Sequence, residues 1–174
     1  MTRFFGMFFR KRSLGDRIKP PNHRHTTGAK GVGALIRWQR PAHGLIAPGH
    51  FIAIAEDAGL IESIGQWVLH QACYQARTWI NEGLSIDRVS VNVSALEFNC
   101  KTFSDNVRNV LKNTGLDAWR LDLELTENAV MRDGIATTDV QEEVSAEGVR
   151  VDRGDVVKGY ASTNRRVMLP VAPW

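Results

Sequence analysis

Cysteine is scarce. Only Cys73 and Cys100 occur in 174 residues, with no CxxC pair and no partner histidines at metal spacing, so neither a disulfide framework nor a zinc cluster is expected. Both read as reduced core or surface thiols, which points to a reducing compartment and a cytoplasmic location. Long apolar runs are absent too: none approaches the roughly 18 residues of a spanning helix. The stretch Phe4-Phe5-Gly6-Met7-Phe8-Phe9 is very short. With one Arg before it and no small-residue cleavage site after it, it makes a poor signal peptide. Internal repeats and low-complexity segments are lacking, which argues against a solenoid or a disordered chain.

What is present fits one globular domain: apolar residues make up 43% and charged residues 24%, near the averages for soluble chains. The net charge of +3 is mild and concentrated at the start, where Arg3, Arg10, Lys11, Arg12, Arg17, Lys19, Arg24 and Lys30 face only Asp16. A basic and aromatic arm over residues 1–14 is expected. It has the charge to touch nucleic acid or anionic lipid, but a solvated linker is the plainer reading, and no nucleic-acid polymer is expected as a partner.

Periodicity then gives an order of elements. Gly31 to Trp38 is a compact apolar run and reads as a strand. Pro41 and Gly44 break the chain, and Pro48 opens a helical stretch with Phe51, Ile52, Ile54 and Ala55 on one face. Ile64, Trp67, Val68, Gln71, Ala72, Gln75 and Trp79 recur at helical spacing, with Gly83 at the expected stop. Residues 89–93 alternate as a strand does. Phe103, Val107, Val110 and Leu111 carry a helical period that ends at Gly115, and residues 121–125 alternate again. An acidic segment around Asp139 to Glu147 suggests a further helix and Val149-Arg150-Val151 a further strand. Such alternation implies βα units on a mainly parallel sheet, whose site lies at the C-terminal strand ends. Asn92 and Glu124 fall there. Their oxygens suit a hard cation, although strand-end polar residues also cap helices or satisfy loops.

Some polar and aromatic features carry no chemistry on this reading. His23-Arg24-His25 reads as a solvated turn, His70 as a boundary residue, and Trp38, Trp67 and Trp79 as core aromatics.

A string of motifs is more specific. GVGALIRWQRP at 31–41 resembles the signature segment of the EAL family, GVEALIRWQHP. FIAIAEDAGLI at 51–61, IGQWVLHQAC at 64–73, VSVNVSA at 89–95 and LDLELTEN at 121–128 follow in the family's order. The match is good over about 15–135 and poor beyond, so residues 15–174 read as a partial EAL domain. The resemblance implies an α/β fold, an incomplete (β/α)8 TIM-like barrel with the late strands and helices missing. It also implies two divalent metals, Mg or Mn, and opening of one phosphodiester of cyclic di-GMP by an activated water. Metals lower the pKa of the water and stabilise charge on the phosphoryl oxygens.

Carried over residue by residue, the family's site is mixed. Gly33 stands where the signature has its glutamate. Asn92 and Glu124 match metal ligands, and Glu127 the second acid of the ELTE segment. The DDFGTGYSS segment aligns loosely with residues 154–162, so Gly154 replaces its first aspartate and Asp155 remains. Arg37 matches an arginine that contacts the nucleotide, while Ile18-Lys19-Pro20 stands where the family has YQP. The family's catalytic lysine lies beyond Trp174. The resemblance therefore leaves open a residual phosphodiesterase using Asn92, Glu124 and Asp155, a pseudoenzyme that binds cyclic di-GMP or a protein, and a truncated relic prone to self-association. GGDEF or sensor proteins are the partners the family implies.

Overall fold

Strands whose side chains alternate in polarity bury one face and offer the other, and that rule organises the sheet here. The structure, a computed structural model, describes residues 5–13, 30–40, 43–125 and 136–153. Its strands are β1 (Phe5–Ser13), β2 (Lys30–Arg40), β3 (Gly44–Ile46), β4 (Arg88–Val93), β5 (Leu121–Leu125) and β6 (Arg150–Arg153). They lie in the order β1-β2-β4-β5-β6, with β3 also paired to β2. The contacts β2–β4, β4–β5 and β5–β6 are parallel, while β1 and β3 run antiparallel to β2.

Helices fill the connections. The six-residue α1 (Ile52–Asp57) and the long α2 (Ile61–Asn81) lead from β3 to β4. The short α3 (Ala95–Phe98) and α4 (Phe103–Thr114) lead to β5, and α5 (Ala136–Ala146) precedes β6. Successive parallel neighbours, each reached through a helix, make a TIM-like arc, with β1 and β6 as its edges among the described residues. The alternation of residues 89–93 and 121–125 therefore yields the strands expected. Gly115 ends α4 in the left-handed region, φ 67°, where glycine carries no side-chain penalty.

The core lies between the arc and the helices. In-register pairing lines up Ala34, Val91, Leu123 and Val151 across four strands, with Val89–Leu121 and Val93–Leu125 on either side. Against these rows pack Val68, Ala72, Cys73, Ala76 and Trp79 from α2 and Phe103, Val107 and Val110 from α4. Trp79 is buried, and Trp38 and Trp67 are partly buried against the cluster, in keeping with core aromatics. Trp38 meets Phe51 edge-on at 5.9 Å between ring centroids.

Two local expectations differ from the structure. The segment read as a solvated arm supplies β1, paired along its whole length with β2, because β2 offers an edge whose backbone groups need partners. At α1, Ala55 and the preceding Phe51 are buried but Ile54 is 65% exposed, so the apolar face there is narrower than its sequence suggests. Residues 18–20, 23–25 and 154–174 lie outside the described residues.

Leu123 sits at the centre of the arc with no exposed surface. Leu123→Ala should cost about 2–5 kcal/mol in urea unfolding. Leu45→Ala, at a position 50% exposed, should stay within about 0.5 kcal/mol of the parent. Equal effects would contradict the placement of the core.

Candidate functional site

The face of the arc turned away from the helices is polar, and register decides which of its residues meet. Gly33 pairs with Ser90, Ser90 with Asp122, and Asp122 with Arg150, so these four form one row. One step nearer the C-terminal strand ends, Asn92, Glu124 and Asp152 form a second row. Adjacent strands lie about 4.8 Å apart, so side chains within a row are direct neighbours. Asn92 is exposed and Glu124 half-buried. Arg37 lies on β2 at the same parity as Gly33, since Ala34 and Ile36 point into the core. It sits near the C-terminal end of that strand, and its Nη1 donates to the Ile36 carbonyl at 2.8 Å.

Three carboxylates and a guanidinium set the electrostatics. Asp122 is 6% exposed, and its Oδ1 has no hydrogen-bond partner. Arg150 Nε stands 4.0 Å from that oxygen, beyond hydrogen-bond length, while Arg150 Nη2 reaches Asp152 Oδ2 at 3.5 Å. Burial pushes the Asp122 carboxyl above the usual range and Arg150 pulls it back. Glu124 and Asp152 add like-charge repulsion, and Arg88 opposes it.

Just past Asn92 the chain turns sharply into α3, and that turn is held by side chains. The Ser94 backbone N–H donates to Glu97 Oε2 at 3.0 Å, and the Glu97 N–H donates to Ser94 Oγ at 3.3 Å, a reciprocal capping box. Glu97 lies against Gly65 of α2, where an added Cβ would stand 1.3 Å from Glu97 Oε1. Only glycine at 65 leaves room for this carboxylate. Glu97 and Gly65 line a small cleft with Asn92, Leu69 and Phe103.

The structure thus brings Asn92 and Glu124 side by side and sets Gly33 and Arg37 on the same face. Asp155, Gly154 and Glu127 lie outside the described residues. Asp122, Arg150 and Asp152 were not singled out from the sequence. Their signal was there in the alternation of residues 121–125 and 149–153, but only register shows that they touch.

A family model for the EAL domain matches residues 21–172. The chain belongs to the EAL domain family. This EAL domain is 44% identical, over 142 residues, to the bifunctional diguanylate cyclase/cyclic di-GMP phosphodiesterase MucR of Pseudomonas aeruginosa, covering 82% of this chain and 21% of that protein. It superposes on the solved MucR phosphodiesterase in complex with c-di-GMP at a TM-score of 0.76 and 40% identity, covering 92% of this chain and 61% of that one. The FimX EAL domain of Xanthomonas citri in complex with c-diGMP gives a TM-score of 0.62 at 26% identity, covering 70% of this chain and 47% of that one. The domain spans about a fifth of the length of the curated relatives it matches.

Phosphodiesterases of the family generally depend on divalent metals. Among the described residues of this EAL domain, no three His, Cys, Asp or Glu side chains converge to hold a metal ion. Gly33 contributes no donor, Asn92 is neutral, and Asp122 and Asp152 both face Arg150. The described donors do not fit a two-metal centre.

Glu97 generates a pH prediction. Burial raises its carboxyl above the ordinary 4.5, Glu56 and Glu62 add repulsion, and the bonds with Ser94 work against the rise. A raised folded value means that the stability contribution is full below the ordinary value and is lost as pH climbs through the folded one. Gln at 97 keeps an acceptor for Ser94 and cannot ionise. The melting temperature of Glu97→Gln should therefore gain on the parent as pH rises from the acid range to neutrality. A gap that stays constant with pH would show that Glu97 is not strained by its charge.

Proposed function

We propose that this chain is a cyclic-di-GMP signalling module that binds cyclic di-GMP and does not hydrolyse it. The observation that carries the reading is Gly33. The signature glutamate is replaced by a residue with no ligand atom, in a row whose remaining charges, Asp122 and Arg150, oppose one another. Attack by water on a phosphodiester anion is slow without metal ions to lower the pKa of the water and stabilise the developing charge. Among the described residues, Asn92 and Glu124 make a weak site for an ion that dehydrates reluctantly.

Binding makes smaller demands. Arg37, near the C-terminal end of β2, carries a planar, permanently charged fork suited to a phosphodiester. Both solved relatives above are complexes with cyclic di-GMP, which supports the same ligand for this face. The MucR relative is named as a bifunctional cyclase and phosphodiesterase, so a diguanylate cyclase or sensor module is the partner we propose. A cytoplasmic setting suits the free thiols Cys73 and Cys100. Among the described residues no helix is long and apolar enough to cross a membrane. A residual metal-dependent phosphodiesterase is the second reading, favoured by the kinship with MucR.

Calorimetric titration with cyclic di-GMP, followed by chromatography of the same mixture with added Mg or Mn, separates the two. Saturable binding with no linear pGpG is expected. Arg37→Ala should weaken binding about tenfold or more, the scale of a charge-assisted contact. Linear product above a no-protein control would favour the phosphodiesterase reading, and unchanged affinity in Arg37→Ala would move the nucleotide away from this face.

A further inference from the structure

We infer that Arg150 is a built-in counter-ion of the polar face, seated between Asp122 and Asp152, which excludes a divalent cation from these carboxylates. The inference builds on the proposed absence of hydrolysis by naming a residue that enforces it.

Asp122 is a poor residue to leave without a cation. Its side chain is 9% exposed, and its Oδ1 accepts no hydrogen bond. A buried carboxylate in that state is stabilised by a fixed positive charge or by a metal. The fixed charge is present: Arg150 is the strand neighbour of Asp122, with Nε 4.0 Å from Oδ1, and its other end spans to Asp152 at 3.5 Å. The row Gly33, Ser90, Asp122, Arg150 is therefore electrically neutral. A metal ion on Asp122 would stand within about one strand spacing, 4.8 Å, of the guanidinium. Like charges repel at that distance, with partial screening by water because the Arg150 side chain is 38% exposed. With glycine at 33, the row has no further carboxylate to offset the repulsion. Asn92 and Glu124, one step up, pair with each other across β4 and β5.

The consequence is a division of labour by charge. Arg150 supplies the positive potential on this face that a metal would otherwise bring, and it cannot be removed by a chelator.

The test uses Mn2+ as the probe, followed by electron paramagnetic resonance of the free ion, on the full chain and on Arg150→Gln and Arg150→Lys. No nucleotide is involved, so failure of cyclic-di-GMP binding and failure of this inference are distinguishable. The parent and Arg150→Lys should show no saturable binding in the submillimolar range. Arg150→Gln, checked for a cooperative melt, should gain it, with affinity at least about tenfold higher, as expected when a fixed like charge is removed. Saturable Mn2+ binding by the parent overturns the inference however the variants fold. A folded Arg150→Gln that gains nothing overturns it equally.

Discussion

In-register pairing of β4, β5 and β6 fixes everything else on the polar face. A strand's side chains alternate between faces, so a slip of one residue would exchange Val91, Leu123 and Val151 for Asn92, Glu124 and Asp152. The apolar rows are buried against α2 and α4, and such a slip would push three polar groups into that core. Burial on one side of the arc therefore dictates which polar groups become neighbours on the other. The site is a by-product of the core.

That dependence explains why the site is defined by rows. Gly33 shares its row with Asp122 and Arg150, one step below Asn92 and Glu124. The loss of an acid at 33 therefore alters a layer that is more enclosed than the strand ends, where water screens charge less. Ser90 and Asp122 are both buried, and in that layer the balance of one acid and one base is set by side chains alone. At the strand ends Asn92 and Asp152 remain exposed to solvent.

Much of this was readable before the structure. The alternation of residues 89–93 and 121–125, the helical period of residues 64–79 and the stops at Gly83 and Gly115 are local signals, and local physics produces them. The elements that escaped notice are short or depend on distant partners. β3 and α3 span three and four residues, barely more than one period of a strand or a helix, too little for a pattern to repeat. β1 exists because β2 offers it an edge, a fact that no window over residues 5–13 contains. Asn92 and Glu124 were found through strand-end position and kinship, whereas the bridge from Asp122 through Arg150 to Asp152 needs the register of strands separated by some 25 residues of sequence. The motif string identified the family more surely than it identified the charges.

Cys73 offers a different use of the same architecture. It lies on α2 with no exposed surface, and burial pushes its thiol up to about 12. A thiol reagent meets a reactive thiolate there only when the helix lifts from the sheet. Cys100 is partly exposed beside Thr102 and has no such barrier. The two thiols of the chain are thus a paired clock, one hand running with solvent and the other with the opening of the layer that sets the register.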